Sequence, residues 1–277
     1  AALAALRSQP KGIPEAVARR MALCLVLRDR PACLELAAAL ERDPWRDLFL
    51  EAGLAKQDER GFRLSWWDRT ALLVCLDRTG TRPLYIVGRR LEWTPEDRMP
   101  KYVAQGMARG ARRAPFGLPS LRAAAEAGED VLVVEGPVDA VGAEAVGLHG
   151  IATIGRPGAA GYADTHGAIV QAMEPVLDSL RACRLVRVVP DNDGAHEKDE
   201  VGRTMAARLV AWLRDRGCRA EVATMAALGF PDCKDLGEVA ERRLSGGTPA
   251  GPTESVEGAE RAPAMAEPAA SGAPADG

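Results

Sequence analysis

Two acidic motifs follow two apolar runs in the second half of this 277-residue chain, and their placement restricts the folds that the chain can adopt. The first motif, Glu135-Gly136-Pro137-Val138-Asp139, directly follows Val131-Leu132-Val133-Val134. The second, Asp191-Asn192-Asp193, comes just after the run Leu185-Val186-Arg187-Val188-Val189. Short runs of aliphatic and β-branched residues predict buried parallel strands, so both motifs fall at the carboxyl ends of strands. In an open α/β sheet, that edge is where ligands bind.

The carboxylates of these motifs predict a metal site. Acids gathered at an apolar edge repel one another, and a hard divalent cation with oxygen ligands relieves the repulsion. Asp191 and Asp193 are one residue apart, so in an extended segment they project to the same side and can bind one ion. We therefore expect Mg²⁺ (or Mn²⁺) and a substrate that carries phosphates. Asp139 falls in the next helical turn, where it is either a metal ligand or an acid favoured by the helix dipole.

Together with a later Lys234-Asp235, these motifs resemble the Toprim domain shared by bacterial DnaG-type primases, type IA and II topoisomerases and several nucleases. The resemblance covers residues 129 to 240. It implies that Glu135 is the general acid/base or a metal-proximal carboxylate, and that Asp191 and Asp193 are catalytic metal ligands. It also places Asp235 near the metals and Lys234 on the nucleic acid or nucleotide. The charged segment 195–201 departs from the usual family pattern and leaves the start of the following helix open.

A basic region precedes the Toprim-like half. From Arg60 to Arg122 there are thirteen Arg or Lys residues and five Asp or Glu residues. Clustered positive charge is typical of a surface that binds phosphate backbones. Within this region the β-rich runs 70–76 and 83–87 flank a turn that ends at Gly80, which predicts an antiparallel hairpin.

The motifs after this hairpin carry a second resemblance. Gly88-Arg89-Arg90, Pro100-Lys101-Tyr102 and Phe116-Gly117-Leu118 follow one another in the order found in the amino-terminal half of the DnaG-type primase catalytic core. This similarity covers residues 47 to 122. It implies that basic side chains here hold the template and the nucleotide. The residues expected in this role are Arg89, Arg90, Lys101, Arg109, Arg112 and Arg113, with Lys234 from the Toprim-like part. Tyr102 either stacks on a base or belongs to the core.

The predicted fold class is α/β: a Toprim domain with a mostly parallel sheet flanked by helices, an α+β basic subdomain before it, and a disordered tail. Residues 123–244 alternate between strand and helix patterns, which indicates the parallel sheet. Residues 1–122 combine a helical segment, predicted at 14–52, with the basic subdomain. The tail, 245–277, contains five Pro and six Gly and no aromatic residue, a composition that cannot offset the entropy of ordering.

We expect a DNA primase catalytic core that makes short RNA primers from NTPs on single-stranded DNA. A Toprim-type metal-dependent nuclease and a non-catalytic nucleic-acid binding module are the alternatives. The sequence contains no Cys/His zinc pattern and no P-loop, so a zinc module and a replicative helicase are expected as partners on other chains or on missing sequence. Because the chain opens at Ala1 without Met, we expect a processed chain or part of a longer one. With no signal peptide and no apolar run near 20 residues, we expect a cytoplasmic protein with no membrane partner.

Overall fold

The computed structural model describes residues 17, 23–27, 29–66, 68–91, 94, 96, 101–105, 114–153, 162–192 and 197–244. The predicted disordered tail, 245–277, lies outside these residues. The elements, in chain order, are β1 Leu23–Leu27, α1 Arg30–Glu41, α2 Arg46–Glu51, β2 Ala55–Asp58, β3 Gly61–Leu64, β4 Thr70–Leu76, β5 Pro83–Arg90, β6 Tyr102–Ala104, α3 Leu118–Ala127, β7 Asp130–Val134, α4 Pro137–Ala145, β8 His149–Ala152, α5 Tyr162–Met173, α6 Leu177–Ala182, β9 Leu185–Val188, α7 Glu197–Asp215, β10 Ala220–Val222 and α8 Leu236–Leu244.

The amino-terminal part is built on an antiparallel sheet with strand order β1-β4-β5-β6, beside a two-stranded hairpin of β2 and β3. The predicted hairpin at 70–76 and 83–87 is confirmed as β4 and β5, with Val74 opposite Ile86. Strand β6 extends the sheet by pairing Tyr102 with Arg89. Arg89 and Arg90 therefore lie beside Tyr102 and Lys101, although Arg89 and Lys101 are twelve positions apart in the sequence.

The prediction that residues 14–52 are helical is wrong for Leu23–Leu27, which forms β1 and pairs antiparallel with β4. Leucine favours helices in isolation, but the open edge of β4 supplies hydrogen-bond partners, and tertiary pairing overrides this weak local preference. Helices α1 and α2 do form within the predicted segment. Helix α1 starts at Asp29, whose Oδ1 accepts a hydrogen bond from the amide of Ala32 at 2.9 Å, with Pro31 in the first turn.

The carboxyl-terminal part contains the predicted parallel sheet, with strand order β10-β9-β7-β8 and all three pairings parallel. The helical segment between β8 and β9 is divided into α5, a 3-10 turn that contains Pro175, and α6. A proline cannot donate the hydrogen bond that a continuous helix would require there. The predicted division of the chain at residue 122 falls within α3.

Helices cover both faces of this sheet, as a parallel sheet requires. Alternate residues of β7 point to opposite faces: Leu132 and Val134 join one core cluster, and Val131 and Val133 join the other. Helices α4 and α8 pack in the first cluster and α7 packs in the second. The first cluster also contains buried residues of β4 and β5, so a shared core fixes the antiparallel sheet against the parallel one.

The strand order creates a crevice at the carboxyl edge of the parallel sheet. From β7 the chain continues to its neighbour β8 on one side, whereas from β9 it continues to β10 on the other side. In open α/β sheets, ligands bind where adjacent strands send their connections in opposite directions. The acidic motifs follow these two strands. No helix within the described residues is long and apolar enough to cross a membrane.

Candidate active site

The first contact between the two acidic motifs joins Glu135 to Asp191. The backbone amide of Asp191 donates a hydrogen bond to Glu135 Oε1 at 3.5 Å. The glutamate is exposed at the end of β7, and Gly202 of α7 lies close by, since a Cβ placed on it would be 3.5 Å from the same oxygen. The predicted convergence of the two strand ends is thus seen for Glu135 and Asp191. Asp193 lies outside the described residues.

The Lys234-Asp235 segment is attached to the second motif through the backbone. The amide of Asn192 donates to the carbonyl oxygen of Lys234 at 2.8 Å. The amide of Lys234 in turn donates to Glu238 Oε2 at 2.7 Å. Both polar groups of the Lys234 backbone are therefore engaged, and this fixes the turn beside Asp191. The hydrogen bond from Asn192 to Lys234 brings together two segments that lie more than forty positions apart in the sequence.

Asp235 has a structural role that the sequence analysis missed. Its Oδ1 accepts a hydrogen bond from the amide of Glu238 at 2.7 Å, so it caps the amino terminus of α8. The signal was present as an Asp-x-x-Glu spacing directly before a helix, a variant of the capping box. The hydrogen bond from the amide of Lys234 holds the pKa of Glu238 below its ordinary value, with a further lowering from Arg242.

Asp139 lies in the first turn of α4, as predicted, and only 7% of its surface is exposed. The preceding Gly136 adopts extended backbone angles that any residue can take, so its small size must be needed for another reason. A Cβ at position 136 would lie 2.8 Å from Asp139 Oδ2 and 3.4 Å from the hydroxyl oxygen of Tyr102. The glycine of this motif leaves room for these two polar groups.

The partly buried ring of Tyr102 packs against the core, which favours the core alternative for this residue, and its hydroxyl faces the acidic motifs. Burial raises the pKa of the Tyr102 hydroxyl, the carboxylates of Asp139 and Asp235 raise it further, and the nearby Arg89 opposes the rise. The sequence contains no local signal for the approach of Tyr102 to Asp139, because Tyr102 lies in β6 of the antiparallel sheet and Asp139 lies in α4 beside the parallel sheet.

Basic side chains border the carboxylates on the side of the antiparallel sheet. The Nζ of Lys101 lies 5.8 Å from the centroid of the Tyr102 ring, and the Cζ of Arg89 lies 6.0 Å from it. Arg90 ends β5 and is partly exposed, and Lys234 is exposed beside Asp191. The other predicted phosphate-binding residues, Arg109, Arg112 and Arg113, lie outside the described residues.

The chemistry of these side chains suits a hard cation, because such ions prefer oxygen ligands. The described residues that offer carboxylate oxygens are Glu135, Asp139, Asp191 and Asp235. Hydrogen bonds link Glu135 to the backbone of Asp191, and the backbone of Asn192 to Lys234, which precedes Asp235. The Tyr102 hydroxyl and Asp139 Oδ2 both lie close to Gly136. Within the described residues, however, no three acidic, His or Cys side chains already form a metal-binding group.

The fold is that of the catalytic core of DnaG-type primases. The RNA polymerase domain of Mycobacterium tuberculosis primase DnaG, in complex with a double-stranded DNA oligomer with a 6-nucleotide overhang, superimposes with a TM-score of 0.57 and 21% identity. The match covers 90% of this chain and 77% of that one. A DNA primase domain from Pseudomonas aeruginosa gives a TM-score of 0.61 at 19% identity, over 85% of this chain and 66% of that chain.

One of the matching structures is that of a longer chain. The Aquifex aeolicus primase structure, which contains zinc-binding and RNA polymerase domains, matches with a TM-score of 0.60 and 21% identity. The match covers 85% of this chain but only 52% of the Aquifex chain. No protein-family model matches the sequence, and no curated protein does. At sequence identities of 19–21%, the structural similarity establishes only the fold. The activity has to be argued from the residues of the site.

Proposed function

We propose that this protein is the catalytic core of a DNA primase, a nucleotidyltransferase that joins ribonucleotides into short primers on a single-stranded DNA template. The main support for the proposal is that Glu135 contacts Asp191 at the crevice of the parallel sheet. The basic end of the β5–β6 pair lies next to this crevice. This juxtaposition occurs in a fold shared with primase catalytic cores, one of them bound to single-stranded DNA.

The carboxylates would hold Mg²⁺ or Mn²⁺. The residues proposed as ligands are Glu135, Asp139, Asp191, Asp193 and Asp235. When bound, such ions would activate the attacking hydroxyl and neutralise charge on the leaving pyrophosphate. Glu135 is exposed at the tip of β7 and is the residue proposed to take up the proton of the primer hydroxyl. A buried Asp139 is shielded from water and suits a fixed ligand.

The basic residues would bind the substrates. Arg90 and Lys101 lie on the antiparallel sheet next to the carboxylates, where they can meet the phosphates of an NTP or of the template. Arginine binds phosphate through two parallel hydrogen bonds, whereas lysine acts as a point charge. Arg109, Arg112, Arg113 and Lys234 are proposed to continue this surface. A zinc module and a replicative helicase are proposed as partners, and replication would place the protein in the cytoplasm.

Incorporation of labelled ribonucleotides tests the proposal. The wild-type chain is incubated with single-stranded DNA of mixed sequence, the four NTPs and Mg²⁺ or Mn²⁺, and the products are separated by size. Short RNA that requires both template and metal is expected. Degradation of the labelled DNA without RNA synthesis would favour the nuclease. DNA binding with neither activity would favour a non-catalytic binding module.

A further inference from the structure

One side chain of the antiparallel sheet reaches the acidic motifs of the parallel sheet. Tyr102 begins β6, directly opposite Arg89 of β5, and the guanidinium carbon of Arg89 lies 6.0 Å from the centre of the Tyr102 ring. The hydroxyl keeps its own proton at neutral pH, as an unperturbed tyrosine does. It is therefore a hydrogen-bond donor.

Carboxylate groups lie near the Tyr102 hydroxyl on the side toward which it can donate its proton. The position of a Cβ on Gly136 lies 3.4 Å from the Tyr102 oxygen and 2.8 Å from Asp139 Oδ2, so the two atoms approach the same point above the glycine. The carboxylate of Asp235 is near enough to act on the Tyr102 hydroxyl electrostatically. Asp139 is almost fully buried, and a buried carboxylate needs donors or a cation around it.

We propose that Tyr102 is a positioning residue for the metal site, its hydroxyl directing its proton toward Asp139 and Asp235. This role deepens the proposed function and rests on it, because it assumes that Asp139 belongs to the metal-binding set. Hydrogen bonds to ligating carboxylates fix their orientation, and loss of such a partner typically lowers metal affinity about 10- to 100-fold.

The surroundings of the ring argue against a base-stacking role. Tyr102 packs against the core cluster that joins the two sheets. Arg89 and Lys101 have their charged groups 6.0 and 5.8 Å from its centroid. A base would have to displace one of these cations to reach the ring. The hydroxyl, at the opposite end of the side chain, is the group aimed at the acids.

Mn²⁺ binding to Tyr102→Phe tests the role without depending on primer synthesis. The substitution keeps the ring and its core contacts and removes only the hydroxyl. We expect Mn²⁺ affinity, measured by calorimetry or by the electron paramagnetic resonance signal of free Mn²⁺, to fall about 10-fold or more. Single-stranded DNA affinity in EDTA should stay within about two-fold of wild type. Tyr85→Phe is the matched control, since the Tyr85 hydroxyl donates to the carbonyl of Ala114 instead.

Gly136→Ala provides a second variant that disturbs the same contact from the other sheet, should Tyr102→Phe fail to fold. Its added methyl would crowd Asp139 Oδ2, and we expect a comparable loss of Mn²⁺ affinity. Unchanged Mn²⁺ affinity in the folded variants, or a wild type that binds no Mn²⁺, would overturn the positioning role. If Tyr102→Phe lost affinity for single-stranded DNA but kept its affinity for Mn²⁺, Tyr102 would instead be a template-binding residue. A wild type whose Mn²⁺ affinity depends on Tyr102 but which makes no RNA would overturn only the primase function.

Discussion

The amide of Asp191 donates to Glu135 Oε1 across 3.5 Å, so the side chain of one acidic motif contacts the backbone of the other. This contact links the carboxyl ends of two neighbouring parallel strands, β7 and β9. It needs an acceptor oxygen at position 135 but no negative charge. A glutamine there can preserve the contact, which allows the charge of Glu135 to be tested separately from its place in the fold.

Glu135→Gln is expected to abolish most primer synthesis while leaving the template bound. Loss of a positioned acid or base typically costs about 10²- to 10⁴-fold in rate. Dinucleotide formation and filter binding of DNA would be measured on the same preparation. The control is Glu129→Gln, which changes a glutamate just before the same strand, where it pairs with His149 at 2.9 Å. Equal rates in the two variants would remove Glu135 from the chemistry.

The pair Asp191→Asn/Asp193→Asn is expected to lose binding of Mg²⁺ or Mn²⁺ and to keep its fold. Amides are weaker ligands for hard cations than carboxylates, and the substitution also removes the repulsion that favours an ion in this crevice. Metal titration by calorimetry, beside a circular dichroism spectrum, gives both readouts. Asp178→Asn serves as the control, because that carboxylate is exposed and pairs with Arg181. Metal affinity equal to wild type would place the ion elsewhere.

The parallel sheet and the meeting of its acidic ends could be predicted because their causes are local. Apolar runs of strand length, each followed by acids, specify both the strands and the edge where they end. Strand β1 could not be predicted in this way, since Leu23–Leu27 becomes a strand only when β4 offers it an edge. Tyr102 is a similar case: its position beside Asp139 depends on the packing of two sheets. The capping role of Asp235, by contrast, was readable from Glu238 three positions later.

Binding of single-stranded DNA is expected to weaken steeply with salt, and Lys101→Ala should make that dependence shallower. Each phosphate contact to a single strand contributes about 0.7 to the slope of log affinity against log salt concentration. Removing Lys101 should therefore lower the slope by about 0.7. Arg184→Ala removes the same charge at the opposite, amino-terminal end of β9, where Arg184 pairs with Asp130. A slope that changes in this control and not in Lys101→Ala would move the template path to that edge.

Two glycines in helices should respond to alanine in opposite ways. A Cβ on Gly142 of α4 would collide with the backbone carbonyl of Leu236 at the start of α8, so Gly142→Ala should destabilise the fold by about 1–3 kcal/mol. Gly167 of α5 is exposed, and nothing described lies within 4 Å of a Cβ placed there. Gly167→Ala should stabilise the protein by about 0.5–1 kcal/mol. Thermal or urea unfolding measures both, and equal effects of the same sign would contradict the packing of α4 against α8.

The turn that holds Asp235 beside Asp191 should contribute a pH-dependent share of stability through Glu238. The amide of Lys234 lowers the pKa of Glu238 below its ordinary value of 4.5. A depressed pKa means that the folded state favours the carboxylate, so this stabilisation is fully present above pH 4.5 and is lost as pH falls through the lowered value. We therefore expect Glu238→Gln to be less stable than wild type at pH 7 and the difference to close under acid conditions. Urea unfolding from pH 7 to pH 3 measures the difference, with Glu35→Gln, an exposed glutamate of α1, as control. A gap that stays constant over this range would show that the carboxylate does not stabilise the turn through its charge.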